Sequence, residues 1–433
     1  MTSNPFQHRL PRRSALMIAG GVAGGMALTA CGSDSGSDVP ASTSDPSTLS
    51  GSITVWYPPI GGDIERPYWD AQIKKFNAAY PNVKVSVEII PWDSRGERMS
   101  TAIKGKTTPD LTYALPADIY NWGSGGLLVP LDDVLADKDK YLPNALSTMT
   151  YDGKLYGAPT VMGLTTTLHV KPVWDAMGID AANYPKTFDE VKELAPKLKE
   201  KGYYITQYDA APTMTLNGSF YPLLWSAGGT VLNEEGTKAT LNGSEGLRAL
   251  EFAKWLVDGG HTPKDALTQQ LPVETSPIAQ KKVAMLFSRS TASLLLNGLK
   301  LDELVVAEPL ADAKSAGYGN VGAWVIFNES KNKQAAAAWF NFQNTPENLK
   351  EFLPPRNQQS PRSDVTGLYK EGTPEAVLST MMDKGVTEPK SPKATEIMGI
   401  IKPEVQAALL GQKEPQKALD DAAAKIDAAL AKK

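Results

Sequence analysis

Cysteine and histidine are nearly absent. The 433 residues hold one cysteine, Cys31, and three histidines. A lone thiol forms neither an intramolecular disulfide nor a thiolate metal cage. Beyond the N-terminal segment the only imidazoles are His169 and His261, far apart and without a cysteine partner, so no catalytic zinc set is visible. Excess positive charge is missing too. The net charge is −4, which argues against binding a nucleic-acid phosphate backbone. No apolar run of about 18 or more residues follows Cys31, so no membrane span is expected after it. G-x-S-x-G, P-loop, H-E-x-x-H and EF-hand spacings do not occur, and there is no internal repeat. One G-x-G-x-x-G is present, Gly317 to Gly322. A dinucleotide site would need a strand before it and a helix after it. An apolar strand follows instead, so that reading is set aside.

What is present begins at the N-terminus. Arg9, Arg12 and Arg13 precede an apolar stretch from Ala15 to Ala30, with no acidic residue. Leu28-Thr29-Ala30-Cys31 then reads as a lipobox. Charged region, short apolar region and small-residue cleavage site are the grammar of a secretory signal. On this reading residues 1–30 are a signal peptide and Cys31 becomes the acylated first residue, carrying palmitate or a similar chain. The alternative is a stray thiol after a chance apolar run. Arg12-Arg13 hints at twin-arginine export, with Ala15 where a large apolar residue is preferred, so Tat and Sec both stay open. Residues 32–50 hold seven serines, three aspartates and two prolines. Such a segment buries no core and reads as a flexible tether.

Ile53, Val55 and Tyr57 alternate with polar or outward residues, which predicts a strand. Trp69, Ile73, Phe76 and Tyr80 recur on one helical face. Val83, Val85, Val87 and Ile89 alternate again, a helix is expected over about 94–104, and Leu111–Ala114 reads as a third strand. Alternating strands and helices imply an α/β fold with a mostly parallel sheet. Asp152-Gly153 marks a hairpin turn. Thr187 with Glu190 forms a capping box before an amphipathic helix. Ser244 reads as a helix N-cap, and Leu419, Ala423, Ile426 and Leu430 mark a last helix behind Pro415.

The order of segments resembles one family. SITVWYPP with DAQIKKFNAAYPNVKVSVE opens it. KGKTTPDLTYALPADIYNWGSGGLLVPLDD, YDGKLYGAPT and YPLLWSAGGTVLNEEGTKATLNGSEGLRALEFAKWLVD follow. GNVGAWVIFNESKNKQAAAAWFNFQ and IKPEVQAALLGQKEPQKALDDAAAKIDAAL close it. Together they resemble the family-1 extracellular solute-binding lipoproteins of bacterial ABC importers, the maltose and multiple-sugar-binding type. The resemblance implies two α/β lobes of the periplasmic-binding-protein type around a ligand cleft, closing by a hinge. It places 51–159 with 318–353 in the first lobe and 160–317 with 354–433 in the second. It implies a monomer that delivers a carbohydrate, in particular an oligosaccharide, to membrane permease subunits from the outer face of the cell membrane. No cofactor and no nucleic acid enter.

Open α/β sheets bind ligands beyond the carboxyl ends of their strands. That rule selects Trp56, Tyr57, Trp92, Asp118, Gly322, Ala323 and Trp324. The resemblance adds Trp225 and Arg356. Sugars suit aromatic platforms and forked guanidinium donors. The competing reading makes Trp225 and Trp324 core residues and Arg356 an interlobe salt bridge. Two other functions stay open: a glycerophosphodiester or polyol receptor of the same fold, with Arg289 as its only hint, and a secreted glycoside hydrolase, which would need two carboxylates across a cleft.

Overall fold

A computed structural model describes residues 46–212, 214–269, 275–289, 298–387 and 389–432. The lipobox at Cys31 and the tether up to residue 45 lie outside the described residues.

Among the described residues the strands are β1 (Gly51–Tyr57), β2 (Val83–Ile89), β3 (Leu111–Ala114), β4 (Thr150–Tyr151), β5 (Lys154–Leu155), β6 (Ala158–Leu164), β7 (Thr166–Val170), β8 (Met285–Arg289), β9 (Leu304–Ala307), β10 (Gly317–Ile326) and β11 (Gly385–Val386). They fall into two main sheets on two hydrophobic cores. The first sheet has the order β11-β10-β3-β1-β2, with β6 on the other side of β10. The second has the order β8-β7-β9.

The first core follows from the strand alternation. Ile53, Val55 and Tyr57 turn inward from β1, against Trp69 and Phe76 of the helix Glu65–Ala79. Trp324 and Trp339 complete an aromatic centre, with Trp69 5.8 Å from Trp324 and 6.2 Å from Trp339. The second core gathers Trp174, Phe188, Phe220, Leu250, Ile401 and Ile426. It is built from the helices Phe188–Glu200, Phe220–Ser226, Ser244–Asp258, Ala394–Leu409 and Pro415–Ala431. The expected capping box closes one of them: the Glu190 N–H donates to Thr187 Oγ1 at 3.2 Å and the Thr187 N–H to Glu190 Oε2 at 3.1 Å. Asp152 and Gly153 both take positive φ at the β4–β5 turn, as an Asp-Gly hairpin requires.

Two expectations change. β1 runs parallel to β2 and β3, but β10 is antiparallel to both β3 and β6, and β7 is antiparallel to β8 and β9. The first sheet is therefore mixed, and the named strands of the second are antiparallel throughout. Leu378, Met381 and Met382 belong to the first core. The stretch 354–382, expected in the second lobe, therefore packs on the first, and only the last two helices return to the second.

His169 on β7 gives this second core a pH dependence. Its ring is 1% exposed, 4.8 Å from Tyr184 and 5.8 Å from Trp174. Burial alone lowers its pKa to about 3. The unfolded chain takes up this proton below about pH 6.5, whereas the folded chain stays neutral until about pH 3, so the contribution is full above pH 6.5 and is lost as pH falls. Between pH 7 and pH 5 the loss is about 2 kcal/mol. Unfolding free energies from urea titrations at the two pH values should differ by that much more in the native chain than in His169→Phe, which keeps an aromatic ring and loses the proton.

Candidate functional site

β1, β2 and β3 are parallel, so their carboxyl ends share one edge of the first sheet. The loops that leave this edge are 58–62, 90–91 and 115–116. In β10, Ala323 lies opposite Ala114 at that edge. The first half of β10 therefore runs past the sheet toward the second lobe. There it pairs with the end of β6, Gly319 opposite Leu164. The chain crosses between lobes at Thr165, at Gly317 and after Val386.

These crossings explain the G-x-G-x-x-G pattern without a nucleotide. A Cβ on Gly317 would stand 2.3 Å from the Thr165 carbonyl oxygen. One on Gly319 would stand 2.8 Å from Gly385 Cα, where β10 and β11 touch. One on Gly322 would stand 1.9 Å from Tyr113 Oη. Each glycine is required by a close neighbour. The Thr165 hydroxyl donates to the Tyr318 carbonyl at 3.1 Å and also meets Ser288 Oγ, which ties the crossing strand to both lobes.

A cavity of about 610 Å³ lies at the crossings. Ile60 and Gly61 line it from the loop after β1, with 355–359 next to them, Gly163 to Thr165 from the crossing, and Tyr318 and Asn320 from β10. Asn320 is exposed although the rest of its strand is buried or partly buried. A second cavity of about 690 Å³ is lined by Trp225, Asn233, Glu235, Val386 and Lys390 among others. Trp225 and Tyr318 stack at 6.4 Å and 14°, so one aromatic pair separates the two cavities.

The second lobe presents an edge of its own. Tyr204–Tyr208 runs parallel beside the segment entering β8, with Tyr204 opposite Val283. Its continuation, 209–217, leaves in the same direction as the end of β8. The Gln207 amide donates to Asp209 Oδ1 at 3.0 Å. Asn217 Oδ1 is buried with no partner among the described residues. Sequence reasoning passed over this loop. The available signal was an irregular run with Asp209, Pro212 and Asn217 between two apolar stretches.

The selected residues divide. Trp92 is 47% exposed at the start of the helix Trp92–Gly105, edge-on to Tyr113 at 6.1 Å. Trp225 is largely buried, with part of its surface on the second cavity. Trp56 is half-buried under the Arg98 guanidinium at 4.5 Å. Asp118 accepts from Arg95 at 2.6 Å and from the Leu115 N–H at 2.9 Å, so it anchors the loop after β3. Gly322 makes room for Tyr113, not for an incoming ligand. Tyr57, Ala323 and Trp324 are in the core. Tyr57 and Trp324 point inward because both belong to the apolar alternation of their strands, and their rings lie 5.1 Å apart. Burial pushes the Tyr57 and Tyr113 hydroxyls well up, so both remain protonated. Arg356 was expected to reach ligand or bridge the lobes. It bridges no lobes: its side chain is 0% exposed and pairs with Glu65, in the same lobe, while the residue borders the cavity of about 610 Å³. Arg289 ends β8, and its side chain lies outside the described residues.

Comparison with known proteins adds four findings. The family model for bacterial extracellular solute-binding protein matches residues 62–350. A binding-protein homologue in Brucella abortus (strain 2308) is 28% identical over 380 residues, covering 84% of this chain and 90% of its own. The diacetylchitobiose binding protein DasA of Streptomyces coelicolor is 26% identical over 232 residues, 52% of each chain. The solved cyclic alpha-maltosyl-1,6-maltose binding protein from Arthrobacter globiformis superposes with a TM-score of 0.77 at 20% identity, covering 88% of this chain and 99% of that one. The last likeness establishes the two-lobed fold alone.

Proposed function

Because this chain belongs to the bacterial extracellular solute-binding proteins, we propose that it is the receptor of an ABC importer and binds a carbohydrate, in particular an oligosaccharide, between its lobes. The observation that carries this reading is the cavity of about 610 Å³ at the crossing segments, lined by the amides of Asn320, Asn357, Gln358 and Gln359 and by the Tyr318 ring. Trp92 offers an exposed ring for sugar C–H faces, and the Asn320 amide both donates and accepts, as hydroxyl groups require. Relatives named for oligosaccharides support the same ligand class. Ligand that touches both lobes favours the closed arrangement, and the crossings at Thr165, Gly317 and Val386 serve as the hinge. The sugar is released unchanged to the permease. On this reading Cys31 carries lipid and holds the body at the outer face of the cell membrane. Palmitate incorporated by the native chain and lost in Cys31→Ser supports the anchor; equal labelling of the two contradicts it.

The direct test is calorimetry on the full chain carrying Cys31→Ser, against maltotriose, diacetylchitobiose, arabinotriose and glycerophosphocholine. Saturable one-to-one binding of a sugar recovered intact is expected. Trp92→Ala should then weaken it by about tenfold, the loss of one stacking platform, or about 1.4 kcal/mol. Binding of glycerophosphocholine alone overturns the carbohydrate reading. Hydrolysis of any sugar overturns the receptor reading.

A further inference from the structure

The pair Glu65–Arg356 is the most completely buried ion pair among the described residues, with side chains 1% and 0% exposed. Its geometry is fully committed. Arg356 Nε donates to Glu65 Oε1 and Nη2 to Glu65 Oε2, each at 2.9 Å, and Nη1 donates to the Phe352 carbonyl at 2.8 Å. The guanidinium lies 4.4 Å from the Tyr68 ring and 4.1 Å from the Phe352 ring. All three guanidinium nitrogens thus donate within the first lobe. One further bond leaves the pair: the Gly61 N–H donates to Glu65 Oε1 at 2.7 Å.

That bond matters because of where its ends sit. Ile60 and Gly61 line the crossing cavity, and 355–359 line it next to them. Within the loop after β1 the backbone bonds are local, from the Ile60 N–H to the Pro58 carbonyl and from the Gly62 N–H to the Pro59 carbonyl. Glu65 ties this loop to the helix beneath it and, through Arg356, to the neighbouring residues 355–359. A buried ion pair of this kind is generally no more stabilising than apolar residues of equal volume. Stability alone gives little reason for a carboxylate here. Holding the Gly61 loop in place on the cavity lining does.

We infer that Glu65 is a positioning residue of the ligand site: its carboxylate holds the Gly61 loop in register for binding. This rests on the carbohydrate-receptor reading above. Two double variants of the full chain separate positioning from folding. Glu65→Leu with Arg356→Met replaces the pair by apolar groups and removes the acceptor for the Gly61 N–H. Glu65→Gln with Arg356→Met also removes both charges but keeps an oxygen at the acceptor position. Both should fold, as checked by urea unfolding.

Calorimetry with maltotriose and diacetylchitobiose is expected to show at least a tenfold loss of affinity in the leucine double and less than a threefold change in the glutamine double. Two folded doubles that bind alike, whether as tightly as the native chain or equally weakly, overturn the assignment. If the native chain binds neither probe, the receptor reading loses its support, and the positioning role is judged separately by NMR hydrogen exchange at the Gly61 amide. Protection lost in the leucine double and retained in the glutamine double supports the role; equal protection in both overturns it.

Discussion

Truncating Arg356 to alanine should destabilise the chain by about 3–5 kcal/mol, the largest effect expected of any single substitution considered. The cost does not come from losing an attraction. It comes from leaving the Glu65 carboxylate at 1% exposure with its charge uncompensated and only the Gly61 N–H to solvate it. The stack of the guanidinium between Tyr68 and Phe352 is lost as well, which adds a cavity. Urea unfolding should show a lower midpoint at an unchanged slope. Removing both charges together, as Glu65→Leu with Arg356→Met, should recover most of the loss. A loss of under 1 kcal/mol for Arg356→Ala would mean that Glu65 finds water or another cation, and the pair would not be sealed as described.

Gly322→Val is expected to cost about 3 kcal/mol, the upper part of the usual range for overpacking. The added Cβ would stand 1.9 Å from Tyr113 Oη, 2.2 Å from Cζ and 2.4 Å from Cε2. Tyr113 cannot step aside cheaply. Its ring is edge-on to Tyr57 at 5.4 Å and meets Trp92 at 6.1 Å. Tyr113→Phe should therefore give no relief, since Cζ remains in the way. Tyr113→Leu combined with Gly322→Val should cost less than the sum of the two single changes, a coupling that identifies the clash. Thermal unfolding of the four chains provides the readout. Additive losses would place the strain elsewhere.

These two sites show where sequence reading reaches and where it stops. The alternation Ile53, Val55, Tyr57 and the face Trp69, Phe76 were legible because period and burial are local properties. So were the Thr187 capping box and the Asp152-Gly153 turn, whose geometry needs only neighbouring residues. The partner of Arg356 was not legible. Glu65 is 291 residues away, and no local pattern marks an arginine as paired rather than free. Trp92, Trp225 and Trp324 read alike in sequence, yet one is exposed, one borders a cavity and one is sealed in the core. The difference depends on which strands cover each ring. The lobe assignment of 354–382 failed for a related reason: Leu378, Met381 and Met382 are apolar enough for either core, and only the fold decides which is nearer. Loop 209–217 was overlooked because irregular segments are common and its position is set by the neighbouring segment Tyr204–Tyr208, which carries only a short apolar signal.

The central claim is that a carbohydrate is held between the two lobes and draws them together. The most direct measurement is the distance between spin labels at Lys74→Cys and Glu251→Cys, exposed positions on helices of the first and second lobes, in a Cys31→Ser background. It would be recorded without sugar and with saturating maltotriose or whichever panel sugar binds. The account predicts a shorter and narrower distance distribution when sugar is bound. Saturable binding with an unchanged distribution would contradict it and place the ligand on a single lobe.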